Sequence, residues 1–98
     1  MRMLKHFESF EPIQSEVEAI KKFLVMVYPV KTSSVLGGES KFVMLDDKPF
    51  YITSKYGALV NKSRLVDALS FELEEHFPLF SEASIRKAAK DFFEFHSK

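Results

Sequence analysis

Residues 41–57 read K-F-V-M-L-D-D-K-P-F-Y-I-T-S-K-Y-G, and this stretch decides the predicted fold. Residues 42–45 and 50–53 are short runs of residues that favour strands. The D-D-K-P segment between the runs has turn chemistry, and Pro49 lacks the backbone N–H that a central strand position requires. The stretch therefore predicts one antiparallel β-hairpin, followed by a turn at Gly57.

Both faces of the predicted hairpin carry apolar side chains. Strict alternation puts Phe42 and Met44 on one face and Val43 and Leu45 on the other. One face can pack on helices. The second face must then meet a second copy of the chain, a partner strand, or a base stacked on an aromatic ring. The alternative is that the hairpin rings, including Phe50, are core residues.

Lysines lie beside aromatic residues along this stretch, and cations beside flat rings are one way to hold a nucleic-acid strand. The candidate contacts with nucleic acid or a protein partner are Lys41, Lys48, Phe50, Tyr51, Lys55 and Tyr56. Asp46 and Asp47 at the predicted tip count against a phosphate backbone as the partner, and as adjacent turn residues they do not by themselves indicate a cation site.

A helix is predicted upstream of the hairpin. Its apolar residues recur at helical spacing: Ile13, Val17, Ile20, Leu24 and Val27. Pro29 limits its C-terminal end. The competing interpretation is a strand over residues 23–30, where apolar and β-branched residues become continuous. Residues 1–11 have no periodicity and are predicted to form an arm. Residues 31–41, which include a glycine pair, are predicted to form a flexible loop.

Two further helices are predicted downstream of the hairpin. Asn61 or Ser63 can cap the first, and Pro78 stops it. Ser81 is a suitable N-cap for the second. The charged residues of the second helix form three i,i+4 pairs: Glu82–Arg86, Lys87–Asp91 and Lys90–Glu94. The 98-residue chain is therefore predicted to be a single α+β domain, mainly helical, in the order α-β-β-α-α.

The two C-terminal helices together resemble a generic helix-turn-helix. In that motif the N-terminal end of the second helix reads bases in the major groove. This resemblance adds Arg86, Lys87 and Lys90 to the candidate contacts, with Ser84 as a second hydroxyl after the cap. Acidic residues share the outer face of this helix, so a solvated surface of ion pairs explains the same pattern.

The charge distribution is uneven although the total is zero, with fourteen residues of each sign. Residues 31–64 carry six basic and three acidic side chains, whereas residues 65–98 carry four basic and seven acidic ones. A zero total argues against a protein that coats DNA non-specifically, because that mode needs many phosphate contacts. It leaves room for a local basic patch in the middle of the chain.

Enzyme chemistry has little support in the sequence. The chain has no cysteine, which excludes disulfides, thiolate metal sites and cysteine nucleophiles. Phosphate-binding, dinucleotide-binding, serine-hydrolase and zinc-protease motifs do not occur. Glu72 and His76 stand four residues apart and suit an acid–base pair, but a surface helix pair explains them as well. We predict no catalytic residue, no metal and no cofactor.

The longest apolar run, residues 23–30, is too short to cross a membrane, and the N-terminus has no signal-peptide pattern. We therefore expect a cytoplasmic, non-enzymatic binding protein, an accessory or regulatory factor that contacts nucleic acid or a nucleic-acid-processing complex. The alternative is a protein-interaction adaptor or inhibitor that acts through exposed aromatic residues, as a monomer or as a homodimer.

Overall fold

The computed structural model describes residues 11–35, 38–54 and 60–98. Within these residues three helices and three strands follow in the order α-β-β-β-α-α, and the predicted α+β class is confirmed. The elements are α1 (Gln14–Val27), β1 (Lys31–Val35), β2 (Gly38–Leu45), β3 (Lys48–Thr53), α2 (Lys62–His76) and α3 (Glu82–His96). The predicted arm, residues 1–11, lies outside the described residues except for its last position.

Helix α1 includes residues 23–27, for which the sequence allowed either a helix or a strand. It continues to Val27, and the backbone N–H of the cap residue Tyr28 donates to the carbonyl of Leu24. Pro29 then explains the stop, since a proline pushes the residue before it out of the helical conformation. Tyr28 has φ −124° and ψ 67°, which lies outside the helical region. The strand interpretation of residues 23–30 is wrong.

Residues 31–35 and 38–41 form strands where a flexible loop was predicted, and residues 36–37 of that predicted loop lie outside the described residues. β1 and β2 form an antiparallel ladder in which Lys31 lies opposite Phe42 and Ser33 lies opposite Ser40. The predicted two-stranded hairpin is therefore part of a three-stranded sheet in the order β1-β2-β3. The K-T-S-S-V strand lies at the edge of this sheet and carries no apolar stripe of its own. An edge strand can be specified by pairing with its neighbour, which explains why hydrophobic patterning missed it.

The turn between β2 and β3 contains two residues, not the four of the predicted D-D-K-P segment. Asp46 has φ 53° and Asp47 has φ 63°. Positive φ at both central residues is the signature of a type I′ turn, whose twist matches that of the flanking strands. Lys48 and Pro49 consequently belong to β3.

Asp47→Gly is expected to raise the free energy of unfolding by about 0.5–1 kcal/mol, because glycine adopts positive φ without a Cβ clash. Urea unfolding of the variant measures the change. Asp47→Ala is the matched control, since it also removes the carboxylate but keeps the Cβ, and it should bring no gain. Equal stability of the glycine and alanine variants would contradict the type I′ assignment.

The core lies between one face of the sheet and the helices. The side chains of Val43, Leu45, Phe50 and Ile52 are buried on this face, where α2 and α3 contact the sheet. Helix α1 packs against α3. These contacts join the sheet and the described helices into one hydrophobic cluster.

The predicted helix caps are confirmed, with Asn61 rather than Ser63 at the start of α2. The Asn61 side chain accepts a hydrogen bond from the backbone N–H of Arg64. The Ser81 side chain accepts one from the backbone N–H of Ser84 at the start of α3. Each cap supplies an acceptor to a first-turn N–H that has no partner within the helix.

Ion pairs between helices replace two of the three predicted i,i+4 pairs on α3. Lys87–Asp91 forms as predicted, with 3.2 Å between nitrogen and oxygen. Arg86 instead binds Asp67 of α2 at 2.8 Å. Glu94 likewise binds Lys62 of α2 at 2.7 Å, and this contact lowers the pKa of Glu94. The pairing requires α2 and α3 to run antiparallel with Arg86 and Glu94 turned towards α2, and the i,i+4 spacing alone does not specify that orientation.

Candidate functional site

The face of the sheet turned away from the helices is the candidate functional site. Side chains alternate along a strand, so Phe42, Met44 and Tyr51 lie opposite the buried Val43 and Phe50. Phe42 and Tyr51 are half-buried, and Met44 is 37% exposed. The described helices contact the other face, and we call this one the open face.

Three side chains cross the open face in a row, one from each strand. Lys31 of β1 is the register partner of Phe42 of β2, and Phe42 is the partner of Tyr51 of β3. The ring centroids of Phe42 and Tyr51 are 5.5 Å apart, and their planes are inclined by 45°. Lys31 is exposed and has no ion pair within the described part of the chain. The row thus presents a cation followed by two aromatic rings.

A second row lies beside the first and consists of two hydroxyls. Ser33 and Ser40 are register partners, and alternation places them on the same face as Lys31 and Phe42. Both are half-buried, and neither hydroxyl is hydrogen-bonded to a described residue. The strand positions that alternate onto this face carry no carboxylate in the described ranges, because Glu39 falls on the opposite parity. The open face is therefore locally positive.

The structure separates the predicted hairpin contacts. Tyr51 lies on the open face, whereas Lys48 and Phe50 belong to the helix-facing side. Phe50 is only 9% exposed, and the guanidinium carbon of Arg64 lies 4.6 Å from its ring centroid. This leaves the Phe50 ring little surface for a partner. Lys48, Phe50 and Arg64 line a groove of about 230 Å³ between the β2–β3 turn and α2, with Phe71 at its side.

Lys41 also lies on the helix-facing side and ties the sheet to the C-terminal end of α3. Its Nζ donates to the main-chain carbonyl of His96 at 3.4 Å. A cation at this position interacts favourably with the helix dipole. Burial lowers the pKa of His96, and the charge of Lys41 lowers it further. Lys41 therefore has a structural partner in the folded chain.

Two predicted contacts, Lys55 and Tyr56, lie outside the described residues. Of the three predicted contacts on α3, Arg86 and Lys87 are held in ion pairs. Lys90 is exposed and pairs with no described residue.

Ser84 is fully buried, with 0% exposure, and its hydroxyl accepts a hydrogen bond from the backbone N–H of Ile13. It is therefore not available to read base edges as the helix-turn-helix resemblance implied. Most of the charged side chains on the outer face of α3 already form ion pairs within the protein.

Sequence reasoning missed Lys31 as a site residue, because that role depends on β1. One signal was available. A glycine pair between two short extended runs favours a hairpin, and residues 37 and 38 are such a pair in the sequence, with Gly38 as the first residue of β2. Because the K-T-S-S-V run is polar, it was predicted to be part of a loop and not a strand.

Large apolar side chains are also exposed away from the sheet. Those more than 60% exposed in the described ranges are Val25, Met26, Phe71, Leu79 and Phe95. The Lys21–Asp91 ion pair brings α1 alongside α3. Val25 and Phe95 each stand one helical turn beyond a residue of this ion pair, on α1 and α3 respectively.

The described residues contain no group of three or more His, Asp or Glu side chains that could hold a metal ion. None of the helices in the described ranges is long and apolar enough to cross a membrane. Comparison with known proteins finds no family model, no curated protein and no solved structure that matches the chain.

Proposed function

We propose that this protein is a small non-enzymatic binding factor that contacts nucleic acid, or a complex that processes it, through the open face of its sheet. The observation that carries the proposal is the Lys31–Phe42–Tyr51 row on a face that the described helices leave uncovered. Aromatic rings stack on bases, and lysine neutralises phosphate. The protein would act as an accessory or regulatory component.

Charge favours the open face over the outer surface of α3. Two of the three candidate cations on α3 already have carboxylate partners, and nucleic-acid binding there would have to break Arg86–Asp67 or Lys87–Asp91. Lys31 can bind a phosphate without breaking an ion pair, because it pairs with no carboxylate among the described residues. Phosphates are also repelled by carboxylates, and alternation places none on the open face within the described strands.

Lys31→Glu is expected to weaken binding to mixed-sequence DNA or RNA and to reduce the salt dependence of the affinity by about one phosphate contact. Fluorescence anisotropy with labelled probes at about 50 mM salt, where phosphate contacts are strong, measures both quantities. Lys90→Glu is the matched control, because it makes the same charge reversal at an exposed, unpaired lysine on α3.

A loss of affinity in Lys90→Glu alone would move the contact from the open face to α3. If the wild-type protein binds no probe at low salt, the proposal fails.

Exposed apolar residues support a second candidate function, a protein-interaction adaptor or inhibitor. Val25 and Phe95 are 72% and 70% exposed on neighbouring helices, and Met26 next to Val25 is 80% exposed. Exposed apolar side chains that cluster mark protein contacts more often than isolated ones do. Light scattering over a range of protein concentrations tests the homodimer form of this function, and a monomer at every concentration would exclude that form.

A further inference from the structure

We infer that the open face binds single-stranded nucleic acid, with one base stacked on Phe42 and the adjacent base stacked on Tyr51. The inference rests on the proposed function and specifies its ligand. It follows from the geometry of the two rings, the position of Lys31 and the two hydroxyls beside them.

The ring geometry calls for two bases. The planes of Phe42 and Tyr51 are inclined by 45°, and the centroids are 5.5 Å apart. One flat base cannot lie parallel to both rings at once. Two successive bases can, provided that they are no longer stacked face to face on each other. Each ring then covers one base, which is the arrangement that gives sequence-tolerant binding.

The need for two bases that are not stacked on each other excludes an intact duplex as the ligand. Paired bases in a duplex are stacked on their neighbours and offer only their edges to a protein, whereas unpaired bases can be splayed out onto aromatic rings. A single strand laid across the three β-strands fits this condition.

Lys31 and the serine pair fit the backbone of such a strand. Lys31 stands one strand away from Phe42, a spacing of about 4.8 Å, so its flexible stem can bring the ammonium to a phosphate beside the base on Phe42. Ser33 and Ser40 lie next to this row, with hydroxyls that have no hydrogen bond to a described residue. They can donate to a phosphate or ribose oxygen. Met44, on the other side of Phe42, offers an apolar contact.

The test compares four fluorescent probes of equal length: oligo(dT), oligo(U), a DNA duplex and an RNA duplex. Phe42→Leu and Tyr51→Leu each remove one ring and keep an apolar side chain. Each is expected to weaken binding to the single strands by about 5- to 150-fold, the range that alanine substitution gives for losing one stacked base. Phe71→Leu is the matched control, because it removes a ring that is 63% exposed on α2, away from the open face.

Tyrosine fluorescence gives a second readout that does not require a disruptive variant. The chain has three tyrosines and no tryptophan. A base stacked on Tyr51 should quench its emission in the wild-type protein. Tyr51→Phe should keep the affinity for single strands while losing the Tyr51 part of the quenching. Circular dichroism of every variant establishes that it is folded.

Tighter binding of the single strands than of the duplexes, together with the loss in both leucine variants and not in Phe71→Leu, supports the inference. The comparison of oligo(dT) with oligo(U) then shows whether DNA or RNA is preferred. The inference is overturned if duplexes bind as tightly as single strands, or if the leucine variants bind single strands as tightly as the wild-type protein does. Either result leaves the proposed function standing. No binding to any of the four probes overturns both.

Discussion

Leu69→Ala is expected to lower the free energy of unfolding by about 2–5 kcal/mol, the usual cost of a leucine-sized cavity in a core that relaxes only partly. Leu69 is 0% exposed and lies on α2. That helix packs against α3 on one side and against β2 and β3 on another. A cavity there removes contacts between the two layers that make up the core. Small domains have a total stability of about 5–15 kcal/mol, so the loss would be a large share of it.

Urea unfolding followed by circular dichroism measures this change. Phe71→Ala is the control on the same helix, because Phe71 is 63% exposed, and its truncation should change stability by no more than about 0.5 kcal/mol. Equal costs for the two substitutions would mean that α2 does not present Leu69 to the core.

Ser84→Ala and Ser70→Ala are expected to have opposite effects on stability although both serines are buried. The exposed fractions of Ser84 and Ser70 are 0% and 3%. The Ser84 hydroxyl accepts a hydrogen bond from the backbone N–H of Ile13 at 2.8 Å and shares another with the Ser81 hydroxyl at 2.7 Å. Its removal leaves the Ile13 N–H without this acceptor, at a cost of about 1–3 kcal/mol.

The opposite effect, a gain in stability, is expected for Ser70→Ala. The buried hydroxyl of Ser70 has no hydrogen-bond partner among the described residues, so the folded protein bears the desolvation penalty of that group without compensation. Alanine removes this penalty and is also the better helix former at a position within α2. We expect Ser70→Ala to raise the free energy of unfolding by about 1 kcal/mol.

Thermal and urea unfolding of the two serine variants, side by side, check both signs. If both variants lower the free energy of unfolding to the same extent, the hydrogen bonds of the Ser84 hydroxyl do not account for the cost of Ser84→Ala. The contrast matters for the fold because the Ser84–Ile13 bond joins the start of α3 to the residue that precedes α1. A further bond, from the Ser81 N–H to the Glu16 carboxylate at 3.0 Å, reinforces the same junction.

Much of the candidate site depended on one strand that hydrophobic patterning did not reveal. The sequence correctly indicated that the hairpin has two apolar faces and that only one can pack on helices. It singled out Tyr51 and lysines near aromatic rings. It could not place Lys31 beside Phe42, because that neighbour relation exists only through the β1–β2 register. It also grouped Lys41, Lys48 and Phe50 with Tyr51, although alternation puts them on opposite faces.

Local chemistry in the sequence determined the helices, their caps and the position of the β2–β3 turn. Apolar spacing, Asn61, Ser81 and Pro29 act within a few residues of one another, so each can be interpreted from the sequence alone. The tertiary structure decided which ion pairs form, which serines are buried with partners, and which aromatic residues remain on the open face. These outcomes depend on residues far apart in the chain, such as Lys62 with Glu94 and Ile13 with Ser84. Only the packing of α1 and α2 against α3 brings such residues within hydrogen-bonding distance.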